Sequence, residues 1–100
     1  MGETIERLAV KRGVSRAEAD AYAARSHARA ATADFRAERF SHPRLDHDEG
    51  IRPALTEGDL ARLAPVFQAD GQVTAGNASA LSDGAAALLL GRGPLPEGPA

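Results

Sequence analysis

Apolar and polar positions alternate along the first forty residues in a pattern that predicts two helices. Ile5, Leu8 and Ala9 fall at i, i+3 and i+4, which gives one apolar face over a short segment. Thr4 is the expected cap of that helix. Gly13 stands where a left-handed C-cap is wanted, with Val14 placed to pack back on the last turn. Ser15-Arg16-Ala17-Glu18 then reads as a capping box, in which the Ser15 hydroxyl takes the Glu18 amide and the Glu18 carboxylate takes the Ser15 amide. Val14 and Ala19 occupy the hydrophobic-staple positions. The second helix is expected to run to about residue 39, with Ala19, Tyr22, Ala23, Ser26, Ala30 and Ala33 as its inward stripe.

The pattern changes after Phe40. Residues 41–50 are polar and punctuated by Pro43 and Gly50, which predicts a loop through to about residue 55. Thr56 caps a helix of one or two turns that Pro65 must stop. Asp70-Gly71 is a turn signal. Residues 85–90, apolar throughout and bounded by Gly84 and Gly91, suit a short strand buried on both faces. Residues 92–100, rich in Gly and Pro, are expected to form a disordered tail. The fold class read from this pattern is mainly α with a short strand and an irregular tail.

Composition narrows what such a chain can be. Of 100 residues 43% are hydrophobic, and 22 are Ala, so the larger apolar side chains available for a core are few. One small domain is the ceiling. The absence of Cys excludes disulfides, thiolate metal sites and cysteine nucleophiles. A net charge of -2 argues against nucleic-acid binding. No apolar run approaches the ~20 residues of a membrane span, and MGETIERL has no signal-peptide apolar region. Glu6 stands where an N-myristoylation signal requires Ser or Thr. A cytoplasmic protein is the expectation.

Three features carry candidate chemistry. His42 and His47 with Asp46, Asp48 and Glu49 are ligand types for a divalent metal, but five residues apart in a loop containing Pro they read better as a solvated acidic loop. Residues 73–84 concentrate small residues around Asn77, Ser79 and Ser82, which suits either a connecting turn or a wall that lets a ligand approach the backbone. Arg52, beside Pro53, is either a solvated side chain or a contact for a phosphate or a base.

Two longer stretches resemble the thiolase family. One is MGETIERLAVKRGVSRAEADAYAARSHARA, at residues 1–30; the other is GIRPALTEGDLARLAPVFQADGQVTAGNASALSDGAAALLL, at residues 50–90. In the second, the blocks IRP, LARLAPVF, DG-VTAGNAS and DGAAALLL follow the thiolase order and spacing. The resemblance covers residues 1–91 and is to thiolases of the acetyl-CoA acetyltransferase type. It implies that the chain corresponds to the middle of a subunit: the loop domain over the coenzyme A site, and the return into the N-terminal half of an α/β fold.

By position, the resemblance implies that Ser79 hydrogen-bonds the pantetheine arm and that Arg52 lies by the adenine. It further implies that Phe67, Ala75 and Ala78 line the pantetheine channel and that Met1 borders the acyl pocket. It carries over no catalytic residue and no metal site, and no cofactor beyond coenzyme A thioester as substrate. The family's nucleophilic Cys, second Cys and Gly-His-Pro histidine have no counterpart; His42-Pro43 follows Ser41 and lies in the wrong region. The strand and longer hairpin that family members carry between the counterparts of Phe40 and Ile51 are replaced by about ten polar residues. The expected function is therefore a thiolase-related fragment with part of a coenzyme A-binding surface, inactive alone and binding acyl-CoA weakly or not at all. The alternative is a non-catalytic interaction module docking on another acyl-CoA enzyme, on a full thiolase subunit, or on the N- and C-terminal pieces of a split one.

Overall fold

The structure, a computed structural model, describes residues 1–40, 42–88 and 90–93. Its helices are α1 (Gly2–Arg12), α2 (Arg16–Thr32) and α3 (Glu57–Ala61), and a 3-10 turn, Arg36–Glu38, follows α2. The regular structure of the described chain is thus almost all helical, with almost no strand. None of these helices is long and apolar enough to cross a membrane.

α1 starts earlier than expected. Met1 is its N-cap, without a side-chain bond. Its carbonyl receives the amides of Thr4 at 3.1 Å and Ile5 at 3.2 Å, so Thr4 lies inside the helix instead of capping it. The inward face is also rotated from the expected one. Gly2, Glu6 and Ala9 turn inward, while Ile5 and Leu8 are each 47% exposed. The other end follows the sequence. Gly13 adopts φ 67°, and the amides of Gly13 and Val14 return to the carbonyls of Val10 (3.2 Å) and Ala9 (3.0 Å). That left-handed turn satisfies two carbonyls that would otherwise lack donors.

The Ser15 capping box opens α2: the Glu18 amide reaches Ser15 Oγ at 3.2 Å, and the Ser15 amide reaches Glu18 Oε2 at 2.8 Å. The helix ends at Thr32, not near residue 39. Two local side-chain bonds compete with its continuation. The Thr32 hydroxyl donates back to the Arg29 carbonyl at 3.1 Å, and Asp34 Oδ1 accepts the Arg36 amide at 3.0 Å. The expected inward stripe is corrected as well. Tyr22 is 66% exposed and lies under the Arg25 guanidinium, and Ser26 and Ala33 are exposed. Arg16, Asp20, Ala23 and His27 turn inward, with Ala19 and Ala30 at the margins. A polar contact with α3 sets this rotation: the Arg16 guanidinium donates to the carbonyls of Leu60 (2.7 Å) and Leu63 (3.0 Å), supplying donors at the end of that short helix.

α3 has a capping box of its own, between Thr56 and Asp59, and buries Leu60 completely. Beyond Pro65 the chain doubles back. Pro65 and Thr74 form an antiparallel bridge, and the Val66 amide reaches the Val73 carbonyl at 2.9 Å. The Asp70-Gly71 turn lies between them, with the Gly71 amide on the Gln68 carbonyl at 3.0 Å.

The expected strand over residues 85–90 is not formed at 85–88 or at 90, and residue 89 lies outside the described residues. Leu81, Leu88 and Leu90 are 105%, 88% and 87% exposed. A strand needs a neighbour for its amides and carbonyls, and among the described residues none is offered. Of the expected tail, residues 94–100 lie outside the described residues.

The interior is small and polar. Among the described residues Leu60 is the buried large apolar side chain, and Glu6, Asp20 and Thr74 are buried with it. The chain exposes 9064 Å², where a compact monomer of its mass exposes about 5,400 Å². Its radius of gyration is 18.1 Å, against about 13 Å for a compact chain of this length.

Candidate functional site

Two buried carboxylates organise the region around residues 71–79. A buried charge is tolerated only where hydrogen-bond donors surround it, so each carboxylate dictates what lies beside it. The Glu6 side chain, 1% exposed, accepts the amides of Gln72 at 2.8 Å and Val73 at 2.9 Å. Glu6 lies so close to Gly71 that a Cβ there would collide with its carboxylate. Asp20, 3% exposed, accepts Arg16 Nε at 2.7 Å and Asn77 Nδ2 at 2.9 Å. Asn77 also donates to the Gln72 carbonyl at 2.8 Å and accepts the Thr74 amide at 2.8 Å. Thr74 Oγ1 accepts the Gly76 amide at 3.2 Å. Gly76 itself lies against Leu60 and Leu63, with no room for a Cβ.

The segment held in this way forms one side of an open groove of about 540 Å³. The inward face of α2, including Ala23 and His27, forms its floor, and residues 50–52 its far rim. Arg52, Ala75, Ala78 and Ser79 all line this groove. The Arg52 amide donates to His27 Nδ1 at 3.2 Å, which pins the rim to α2, and its side chain is exposed. The Ser79 hydroxyl donates to the Ala80 carbonyl at 3.0 Å, and its oxygen keeps its capacity to accept.

Met1 and Phe67 do not line it. The Phe67 ring packs against Gly2 at the start of α1, leaving no space for a side chain there, and Met1 is fully exposed beside it. The six candidate residues therefore divide into a group of four and a pair.

The histidine loop forms a separate feature. His47 Nδ1 pairs with Asp46, and Asp48 accepts the Gly50 amide at 2.8 Å. The Asp46 hydrogen bond raises the His47 imidazole above its ordinary range, and the same bond lowers the Asp46 carboxyl below its own. Among the described residues no three His, Asp or Glu side chains are grouped to hold a metal ion.

Sequence reasoning singled out Asn77 but missed Glu6, Asp20, Arg16 and His27. The Arg16/Asp20 pair was signalled by opposite charges at i and i+4. Glu6 and His27 carry no such local sign, because their partners lie far away in the chain.

The family model described as the N-terminal domain of thiolase matches residues 1–93. The 3-ketoacyl-CoA thiolase of Vibrio vulnificus (strain YJ016) is 48% identical over 105 residues, covering 90% of this chain and 27% of the relative. That of Bacillus subtilis (strain 168) is 43% identical over 111 residues, covering 90% of this chain and 28% of its own. The peroxisomal 3-ketoacyl-CoA thiolase of Homo sapiens is 42% identical over 109 residues, covering 92% and 26%. The chain spans about a quarter of the length of the curated relatives it matches. Each matched stretch is longer than the part of this chain it covers, so the relatives carry residues with no counterpart here.

Proposed function

The chain belongs to the thiolase family, and from that premise we propose that its groove is part of the coenzyme A-binding surface of an acyl-CoA C-acyltransferase of the acetyl-CoA acetyltransferase type. On this reading residues 1–91 are the loop-domain segment from the middle of a thiolase subunit, with the return into its N-terminal half. One observation carries the proposal: Arg52, Ala75, Ala78 and Ser79 line a single groove. Ala75 and Ala78 leave width for a thin pantetheine arm, Ser79 meets its amides, and the exposed Arg52 lies at the rim for the adenine end. Met1, which borders the acyl pocket on this reading, and Phe67, which extends the pantetheine channel, lie outside this groove, with the Phe67 ring against Gly2 at the start of α1.

These residues bind and orient; they make and break no bonds. Thiolysis and condensation need a thiolate to carry the acyl group and a second group to activate the incoming thiol or carbanion. The sequence contains no Cys, so the 100 residues alone are inactive, and the chemistry resides in other parts of a thiolase. The exposed Leu81, Leu88 and Leu90 and the large total surface favour a companion reading. In it the chain docks, as a cytoplasmic non-catalytic module, on a thiolase subunit or on thiolase N- and C-terminal pieces.

The test combines a thiolysis assay on acetoacetyl-CoA with a coenzyme A titration followed by amide resonances. The expected results are background turnover and a weak affinity, on the order of millimolar, because a one-sided groove buries little of the ligand. The shifts should be centred on Ala78 and Ser79 and reduced in Ser79→Ala. Turnover by the purified chain overturns the inactivity. Absence of shifts at Ala78 and Ser79 overturns the coenzyme A reading.

A further inference from the structure

The wall and the floor of the groove are joined by the Asn77–Asp20 hydrogen bond. The floor belongs to α2, which also carries Asp20; the wall includes Asn77 itself, with Ala75 before it and Ala78 and Ser79 after it. Residues 74–78 form a turn wrapped around the Asn77 side chain, closed by the Ala78 amide on the Thr74 carbonyl at 3.1 Å. The amide orientation of Asn77 admits one assignment. Its Nδ2 faces two acceptors, Asp20 Oδ1 and the Gln72 carbonyl, and its Oδ1 faces a donor, the Thr74 amide. Asp20 in turn has its other oxygen held by Arg16. Helix, carboxylate, amide and turn therefore form one continuous chain of bonds ending two residues before Ser79.

We propose that Asn77 is a positioning residue, whose bond to Asp20 fixes the wall carrying Ala78 and Ser79 at a set distance from α2 and so sets the width of the ligand groove. The ligand part of this statement rests on the coenzyme A reading above; the geometric part does not. Asn77 itself lines the groove, but its amide is taken up by Asp20, Gln72 and Thr74. It acts by fixing where Ser79 stands.

Asn77→Asp is close to isosteric, and it exchanges the donor facing Asp20 for an acceptor. Two carboxylates then meet in a buried site, where neither finds a donor in the other. In the full 100-residue chain, amide exchange of Thr74 should accelerate about a hundredfold, and the Ala78 and Ser79 resonances should move. Asp20→Asn alone should also accelerate exchange, because it removes the charge that Arg16 pairs with. Introduced into the Asn77→Asp background, however, the same substitution should slow exchange, since an amide again faces a carboxylate. A general packing role produces no such reversal of sign.

The proposal is overturned if Asn77→Asp leaves the Thr74 exchange and the Ser79 resonance unchanged, or if Asp20→Asn is equally harmful in both backgrounds. Should Asn77→Asp lose its helices, the double variant decides: recovery of helix on adding Asp20→Asn supports the pairing, and no recovery overturns it. Coenzyme A is titrated separately into the unsubstituted chain. Absence of shifts there overturns the coenzyme A reading and leaves the positioning result to be judged by exchange.

Discussion

Replacing Glu6 by Gln tests the idea that α1 is tied to residues 71–74 through a buried carboxylate. Both Glu6 oxygens accept backbone amides, from Gln72 at 2.8 Å and Val73 at 2.9 Å, and the residue is 1% exposed. A glutamine of the same shape keeps one acceptor and turns an NH2 towards the other amide, donor against donor. One buried amide then has no partner, at about 1–3 kcal/mol, and the remaining bond loses its charge assistance, about 1 kcal/mol more. Together these amount to about 2–4 kcal/mol, or an opening equilibrium raised on the order of 30- to 1,000-fold. Hydrogen exchange of the Gln72 and Val73 amides reads this directly. Glu3→Gln on the same helix is the control, since Glu3 is exposed. Protection at both amides that falls less than about threefold in Glu6→Gln would refute the reasoning, because a pair of buried charge-assisted bonds cannot be that cheap to lose.

Gly76→Ala should destabilise the chain by about 1–3 kcal/mol, because its methyl group enters the space of the Leu60 and Leu63 side chains, which must shift to relieve the contact; a denaturant midpoint at or above that of the unsubstituted chain would contradict the close approach. His47 should titrate above the ordinary imidazole range, and Asp46→Asn should bring it back, as followed by its ring resonances. The raised value means that the pair's contribution is present in acid and is lost as pH rises through the His47 midpoint. The lowered Asp46 value means that it is lost again as pH falls through that carboxyl's titration, so the pair exists between the two.

Features set by neighbours in the chain were legible in the sequence. The Ser15 box, the Thr56 cap and the Gly13 turn each depend on residues within five positions, and all three form, Thr56 as one half of a box with Asp59. The end of α2 was in principle legible too. Thr32 and Asp34 are residues whose side chains compete for backbone, yet the alanine-rich composition around them suggested that the helix continued. Apolar spacing does not mark the inward faces of α1 and α2, because polar side chains do much of the packing here. Glu6 meets Gln72 and Asp20 meets Asn77 across most of the chain, and no periodicity marks such pairs. The groove residues Arg52, Ala75, Ala78 and Ser79 were named through the family resemblance; that they share one cavity came from the fold. Residues 85–90 have the composition of a buried strand, but composition cannot supply the neighbour that a strand requires.

The polar character of the interior also fixes how the chain responds to temperature. Exposing apolar surface raises the heat capacity of unfolding by about 0.45 cal/K/mol per Å², and exposing polar surface lowers it by about 0.26. An interior of Glu6, Asp20 and Thr74 around Leu60 sets these contributions against each other, so the heat-capacity increment falls well below the 1.2–1.5 kcal/mol/K that is about typical for 100 residues. The stability curve is correspondingly flat. Calorimetry of this chain should give a broad, shallow endotherm with little step in the baseline, and cooling should remove little of what holds the helices to the turn at Asn77.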